Sequence, residues 1–210
     1  MALTGIALLG FIIFHLAGNL KVYIGPDEIN EYGEALRDLG GHLVPRNNLL
    51  WILRIGLMGA FAIHVHAAYS LTLENRRKGG EVQYQTQRDY LVANYASRTM
   101  IWSGTIVLLF IAYHLADLTW GVANPDFVAG DIYNNMVASF SRVPVAALYI
   151  VANVALGFHI YHGAWSMFQS LGANNPRFNK WRRWFAQAFA AVIVIGNVSF
   201  PIMVLIGVIE

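Results

Sequence analysis

Five long apolar stretches, separated by shorter polar segments, dominate the pattern of this chain. Each is long enough to cross the hydrocarbon core of a bilayer as a helix, which takes about 20 residues. A helix also satisfies its own backbone hydrogen bonds, as any segment in lipid must. The pattern therefore predicts an all-α integral membrane bundle, a single domain over residues 1–210. The predicted spans are 2–23, 48–73, 99–121, 143–170 and 184–208.

The composition agrees with lipid as the surrounding solvent. The chain is 57% hydrophobic and 12% charged, with a mean hydropathy of +0.48, whereas soluble domains carry about 25% charged residues. The small net charge of +2 gives no indication of nucleic-acid binding, and no nucleic-acid partner is expected.

The connecting segments differ in pattern. Residues 25–48 predict a short amphipathic element, which begins at Pro26-Asp27-Glu28 and ends at Gly40-Gly41. Residues 122–142 are rich in turn-forming residues and predict a loop. Pro201 predicts a kink in the last span.

The basic residues predict the topology. Nine of the 14 Lys and Arg residues lie between spans two and three or between spans four and five. Because basic residues are enriched on the cytoplasmic side, we expect these segments in the cytoplasm, the N-terminus inside and the C-terminus outside.

Four of the seven histidines lie deep inside four different spans. The topology places His15 and His114 at one depth, toward the outer surface. It places His64 and His159 at another, toward the inner surface, about 10–15 Å away at 1.5 Å per helical residue. A histidine in hydrocarbon needs a compensating partner, and a haem iron with two axial imidazoles provides one. The pattern predicts two stacked haems.

Other interpretations of the histidines remain open. Each could instead hydrogen-bond a neighbouring helix, whereas a bare metal site fits less well, because each level offers two protein ligands and no carboxylate nearby. His66 is the rival ligand on span two, and His162 lies one turn from His159, where a haem propionate could reach it. His42 is expected in solvent or near an outer quinone pocket.

The absence of cysteine narrows the cofactor chemistry. It excludes thiolate-bound iron–sulfur clusters, disulfides and covalent haem attachment through C-x-x-C-H. Any haem in this chain must therefore be of the b type.

Spans one and three contain a repeat. Residues 5–17 align with 104–116 without gaps, and the shared positions include a Gly ten residues before, and a Phe four residues before, a His-Leu-Ala. We expect the two spans to have the same function. Small residues near the histidines either make room for porphyrin or serve ordinary helix packing; they are Gly10, Ala68, Gly104, Gly157 and Gly163.

These residues resemble a known family, the cytochrome b membrane anchor of succinate:quinone oxidoreductase (complex II), in its single-chain, five-helix, di-haem b558 form. The resemblance covers nearly the whole chain. Its motifs are Phe14-His15-Leu16-Ala17-Gly18-Asn19-Leu20, His64 with Leu71-Thr72-Leu73-Glu74-Asn75-Arg76-Arg77, Ser97-Arg98-Thr99-Met100, Tyr113-His114-Leu115, and His159-Ile160-Tyr161-His162-Gly163-Ala164-Trp165-Ser166 with Gln169-Ser170-Leu171-Gly172.

The resemblance implies a non-catalytic electron-transfer subunit with two haem b groups, working with menaquinone or another quinone. FAD and iron–sulfur clusters would lie in two partners, a flavoprotein subunit and an iron–sulfur subunit that docks on the cytoplasmic side. The expected location is the bacterial inner membrane, with a higher oligomer of the complex also considered.

Further cofactor contacts are expected at both levels. Near the outer level the candidates are Asn19, Lys21 and Arg54, and near the inner level they are Arg98, His162, Trp165 and Ser166. Two alternative functions remain: a cytochrome b subunit of another quinone-linked dehydrogenase or hydrogenase, and a haem-free transporter or anchor that uses its histidines as a proton relay.

Overall fold

A computed structural model describes residues 1–81, 100–173 and 175–210 of the chain. Seven α-helices occupy this part of it. They are α1 Ala2–Asn19, α2 Pro26–Ala35, α3 Asn48–Glu81, α4 Met100–Leu118, α5 Ile132–Phe140, α6 Val143–Ser170 and α7 Pro176–Leu205. Short 3-10 turns at Leu20–Tyr23, Leu36–Asp38 and Gly41–Leu43 join them.

Five of these helices are long and apolar enough to cross a membrane, which confirms the predicted all-α bundle of five spans. The candidate spans are Ala2–Tyr23, Asn48–Glu74, Met100–Leu118, Val143–Ser170 and Asn179–Leu205. The last differs most from the prediction, since it begins five residues earlier and ends three residues earlier. Pro201 lies inside α7.

The helix α6 lies at the centre of the bundle. It packs most extensively against α7 and next against α4, whereas α3 packs mainly against α1. The α6–α7 contact is close because Gly157 faces Val194 and because Asn197 donates a 2.9 Å hydrogen bond to Asn153. Small residues and interhelical amide bonds are the usual means by which membrane helices associate.

The two connections on one side of the bundle form short helices. The segment after α1 is helical from Pro26, as predicted, and Gly40 and Gly41 follow with φ of 95° and 53°. These φ values favour glycine.

The segment at 122–142, predicted as a loop, is a loop only in its first part, because its last part forms α5. The Asp131 side chain caps α5 by accepting a hydrogen bond from the Asn134 backbone N–H. Met136 and Phe140 are buried on one face, and this burial outweighs the turn-forming composition of the segment.

The helices α2 and α5 are joined through Asn30. Its side-chain oxygen accepts hydrogen bonds from the backbone N–H groups of Ile132, at 2.8 Å, and Tyr133, at 3.2 Å. The side chain of a residue in α2 thus satisfies free donors at the start of α5.

Candidate functional site

His15 on α1 and His114 on α4 form the first pair of histidines. Their ring centres lie 5.9 Å apart, with an angle of 84° between the ring planes. An aromatic ring packs on each histidine from four residues earlier in its own helix. Phe11 stacks on His15 at 5.2 Å, and Phe110 lies 5.9 Å from His114.

His64 on α3 and His159 on α6 form the second pair. Their ring centres lie 6.4 Å apart, at an interplanar angle of 67°. The starts of α1 and α4 contact this second pair, since Thr4 and Ser103 lie against its two rings. Each of these residues precedes its helix's first-pair histidine by 11 positions, so the two pairs are about 16 Å apart along the helices.

The spacing of each pair can be compared with that of two imidazoles on one metal ion. An imidazole nitrogen bonds a transition metal at about 2 Å and the ring centre lies about 1 Å further, so two rings on opposite sides have centres about 6 Å apart. Both pairs agree with this value. Among the described residues, no group of three or more His, Cys, Asp or Glu side chains could hold a metal ion. Two imidazoles alone suit an iron whose other positions a porphyrin fills, so the residues fit two b-type haems.

A buried polar network supports the first pair. The hydroxyl of Tyr149 lies 3.4 Å from His114 Nδ1 and donates a 2.9 Å hydrogen bond to Asp117, whose side chain is fully buried. Arg142 forms a 2.6 Å ion pair with the other oxygen of Asp117, and Ser139 donates to the carboxylate as well. A buried charge that is paired and hydrogen-bonded avoids most of its desolvation cost.

His15 has a different polar neighbour. The side-chain nitrogen of Asn19, one helical turn further along α1, lies 3.4 Å from His15 Nε2. Asn19, a predicted cofactor contact, therefore lies directly beside a proposed ligand.

The second pair has hydroxyl groups beside it. Thr4 Oγ1 lies 3.2 Å from His64 Nδ1, and Ser103 Oγ lies 3.4 Å from His159 Nδ1. The next residue of each helix is a glycine: a Cβ on Gly104 would come 3.2 Å from the His159 ring, and one on Gly5 would come 3.9 Å from the His64 ring. Spans one and three thus each supply a histidine to the first pair, and a hydroxyl and a glycine to the second.

The predicted small residues have different surroundings. Gly104 makes room for a histidine ring, whereas Gly157 is packed against Val194 of α7. Of the two interpretations of Gly157, its contact with Val194 favours ordinary helix packing. Gly10 has no neighbour within 4 Å of a Cβ built on it, and Gly163 has only Met100 near it. Ala68 accepts a backbone hydrogen bond from the side chain of Thr72.

The rival histidines lie apart from the ring pairs. His66 is exposed and its Nε2 is 3.5 Å from Ser70 Oγ, so His64 is the span-two histidine that faces α6. His162 is partly buried on α6, about one helical turn beyond His159. His42 is exposed in a 3-10 turn.

The candidate cations have partners of their own. Lys21 forms a 3.1 Å ion pair with Glu28 and lies over the Tyr32 ring, and Arg54 is exposed and lies over the Trp51 ring. Arg98 lies outside the described residues.

At the other end of the bundle, Trp165 lies beneath two guanidinium groups. Those of Arg182 and Arg183 are 4.7 Å and 5.5 Å from its ring centre. Ser166 donates to the Gly163 carbonyl at 3.2 Å.

Asp117, Tyr149 and Arg142 are the site residues that the sequence did not indicate. The expectation that no carboxylate lies near the histidines is wrong, because Asp117 follows His114 by one helical turn and reaches it through Tyr149. The only signal was that Asp117 is an acidic residue near the end of an otherwise apolar span, where such residues are rare and paired.

Five helices that are long and apolar enough to cross a bilayer indicate a multi-pass membrane protein. Residues 82–198 match the family described as the succinate dehydrogenase/fumarate reductase transmembrane subunit. This match covers more than half of the 210 residues, and the chain belongs to that family, as the resemblance predicted. No curated protein and no solved structure gives a significant match.

The matched region contains one histidine of each pair. His114 and His159 lie inside residues 82–198, whereas His15 and His64 precede them. The match therefore includes two of the four candidate ligands, and the other two lie outside it, on α1 and α3.

Proposed function

We propose that this chain is the di-haem cytochrome b anchor of succinate:quinone oxidoreductase and connects an iron–sulfur partner subunit with quinone in the membrane. The observation that carries the proposal is the pair of ring separations, 5.9 Å and 6.4 Å, on four helices that contribute one histidine each. A proton relay would favour a continuous chain of polar groups, whereas these rings are grouped two by two at separate levels.

The chain's own residues would bind and orient the cofactors. Haem, when bound, supplies a one-electron redox centre. His15 and His114 would hold one iron, and His64 and His159 the other. The surrounding apolar helices exclude water from both levels, and the Asp117 network fixes the His114 ring by hydrogen bonding through Tyr149.

The side with the basic segments is proposed to face the cytoplasm and the partner subunits. Nine of the 14 basic residues lie there, and the same segments would dock the iron–sulfur subunit, which would in turn carry the flavoprotein. Succinate chemistry would belong to FAD and iron–sulfur clusters in those partners, in a bacterial inner membrane with menaquinone or another quinone as the lipid-soluble reactant. The first pair would then be the outer pair and the second the inner pair.

Charged and polar residues near each level would contact propionates or quinone. Arg54 precedes His64 by ten residues, which places it about 15 Å along α3, at the level of the first pair. Its exposure leaves its guanidinium accessible. Lys21 and Asn19 are the further candidates at that level, and His162, Trp165, Ser166 and Arg98 are those near the second pair.

A spectrum of the purified complex tests the proposal. The complex with its partner subunits should show a reduced-minus-oxidised b-type α band, and a pyridine haemochrome assay should give two haem b per chain. His64→Ala and His114→Ala should each remove one of the two haems, because an iron with one missing axial ligand is held weakly.

The exposed histidines provide matched controls. His66→Ala and His42→Ala should retain both haems, since neither side chain lies at a ring pair. A featureless difference spectrum in the wild-type complex would contradict the proposal and favour the haem-free relay. Copurification with a flavoprotein that oxidises an electron donor other than succinate would contradict the assignment to complex II.

A further inference from the structure

We infer that the hydroxyls of Thr4 and Ser103 hold the second pair of histidines in the tautomer protonated on Nδ1, which leaves Nε2 of both rings free for one iron. The inference rests on the proposed haem function and adds two positioning residues to it. It comes from the bonds that each hydroxyl makes, which the family membership does not specify.

The hydroxyl of Thr4 is already committed as a donor. Its oxygen lies 2.9 Å from the Met1 carbonyl oxygen and 3.2 Å from His64 Nδ1. A hydroxyl has one proton and two lone pairs, and a carbonyl only accepts. Because the proton of Thr4 goes to the carbonyl, the hydrogen bond with His64 must be donated by Nδ1–H.

Ser103 repeats this arrangement at the other ring. Its oxygen lies 3.0 Å from the Met100 carbonyl oxygen and 3.4 Å from His159 Nδ1. Because the proton of the Ser103 hydroxyl goes to the Met100 carbonyl, the hydrogen bond with His159 is again donated by Nδ1–H.

The two hydroxyls occupy equivalent positions, one residue before each copy of the sequence repeat. Thr4 and Ser103 each immediately precede the shared glycine and follow a methionine by three residues. Two separate helices therefore place the same acceptor against the same nitrogen of two different rings. Such a match is expected if one bound group requires both rings to present the same free nitrogen.

Removal of the acceptors should have a specific consequence. An Nδ1–H that donates to oxygen orients an imidazole ligand and makes it more basic, and loss of such partners typically weakens metal affinity 10- to 100-fold. A more basic ligand favours the oxidised iron. Thr4→Val and Ser103→Ala should therefore raise the midpoint potential of one haem of the two and weaken its retention about tenfold, while the other haem is unchanged.

The experiment uses the whole complex with its partner subunits. Redox titration of the α band would report the two potentials, and haem content after detergent washing would report retention. Thr4→Ser and Ser103→Thr keep the hydroxyl and should restore wild-type behaviour. Thr72→Val and Ser170→Ala are the matched controls, because each loses a hydroxyl bonded to a backbone carbonyl with no histidine contact among its described bonds.

The outcomes separate this inference from the proposed function. A wild-type complex without haem b overturns both. Two haems with unchanged titration in Thr4→Val and Ser103→Ala overturn the tautomer inference alone, as does a failure of the serine and threonine replacements to restore the potential.

A second measurement needs no haem and no stable variant. In wild-type protein labelled with ¹⁵N-histidine and prepared without haem, the resonances of His64 and His159 should show protonated Nδ1 and unprotonated Nε2. Protonation on Nε2 in either ring would overturn the inference.

Discussion

The two histidine pairs have the same ring spacing but different supports. The first pair lies beside a charged network in which Arg142 and Tyr149 both bond to the fully buried Asp117, and the Tyr149 hydroxyl also contacts His114. The second pair lies beside two neutral hydroxyls and two glycines. An ion pair of the buried Asp117 thus stabilises the surroundings of the first pair, whereas the close approach of helix backbones at two glycines shapes those of the second.

This difference shows how one bundle can hold two similar ligand pairs in unlike electrostatic environments. A carboxylate connected to one ligand favours the oxidised state of the bound iron more than a neutral hydroxyl does. On the proposed function, the first pair would therefore hold the haem that is harder to reduce.

The largest effect on stability is expected from breaking the ion pair between Asp117 and Arg142 beside the first pair. Asp117→Asn keeps the shape of the side chain but leaves the partly buried Arg142 guanidinium without its counter-charge. Removal of one partner of a buried pair costs about 3 kcal/mol, and thermal denaturation of the complex measures it. Glu28→Gln, which breaks the exposed pair with Lys21, is the control and should cost under about 1 kcal/mol. Equal losses in the two variants would contradict a special role for the buried network.

Alanine substitution of the two glycines should distinguish the surroundings of the two histidines in the second pair. In Gly104→Ala the new Cβ would lie 3.2 Å from the His159 ring, whereas in Gly5→Ala it would lie 3.9 Å from the His64 ring. Overpacking typically costs about 2 kcal/mol, so only Gly104→Ala should lower the melting temperature and weaken one haem. The prediction fails if the two alanine variants behave alike.

Removal of the Tyr149 hydroxyl should affect the first pair alone. Tyr149→Phe takes a donor from Asp117 and the acceptor from His114, and we expect about tenfold weaker retention of one haem. Tyr23→Phe also loses a hydrogen bond, to Ser199, but has no described contact with a histidine and should retain both haems. Thr4→Val is expected to affect the haem at the second pair. If Tyr149→Phe changed that same haem, the assignment of Tyr149 to the first pair would be contradicted.

The smallest effect is expected at the cap of α5, on the side of the first pair. Hydrogen bonds from the Asn134 side chain, the Asn134 backbone and the Asn30 side chain stabilise the carboxylate of Asp131 and lower its pKa below the usual value of an aspartate. The folded pKa is therefore below the unfolded pKa, so this stabilisation is present above about pH 4 and is lost as the pH falls through the folded pKa.

Substitutions at Asp131 measure that contribution. Asp131→Ala should cost about 1 kcal/mol at neutral pH, as loss of an N-cap does. Asp131→Asn should keep most of the cap and remove this part of the acid dependence, measured by melting temperature between pH 6 and pH 3. Identical pH profiles of wild type and Asp131→Asn would contradict the prediction.

The sequence was sufficient to predict the spans and which rings lie together. Long apolar stretches have few alternatives in lipid, and alternating helix direction allowed depth to be estimated from residue number alone. The structure brings His15 to His114 and His64 to His159, the two pairings that the depth estimate predicted; their role as iron ligands stays a prediction.

The residues that contact the histidine rings were harder to predict from the sequence. Asp117 and Tyr149 lie on different helices, 32 residues apart, and their contact depends on how α4 and α6 are rotated against each other. The helix α5 was missed for a related reason: its nine residues become helical through burial and through capping by Asp131 and by Asn30 of another helix, which local composition does not reveal.

The helices α1 and α4 each contact both ring pairs, which has a mechanical consequence. A tilt of either helix that adjusts a ligand at one level displaces a hydroxyl and a glycine at the other, about 16 Å away. The two levels are therefore mechanically coupled through α1 and α4. Insertion of a cofactor at one level should bring the ligands at the other level into position, so assembly should be cooperative.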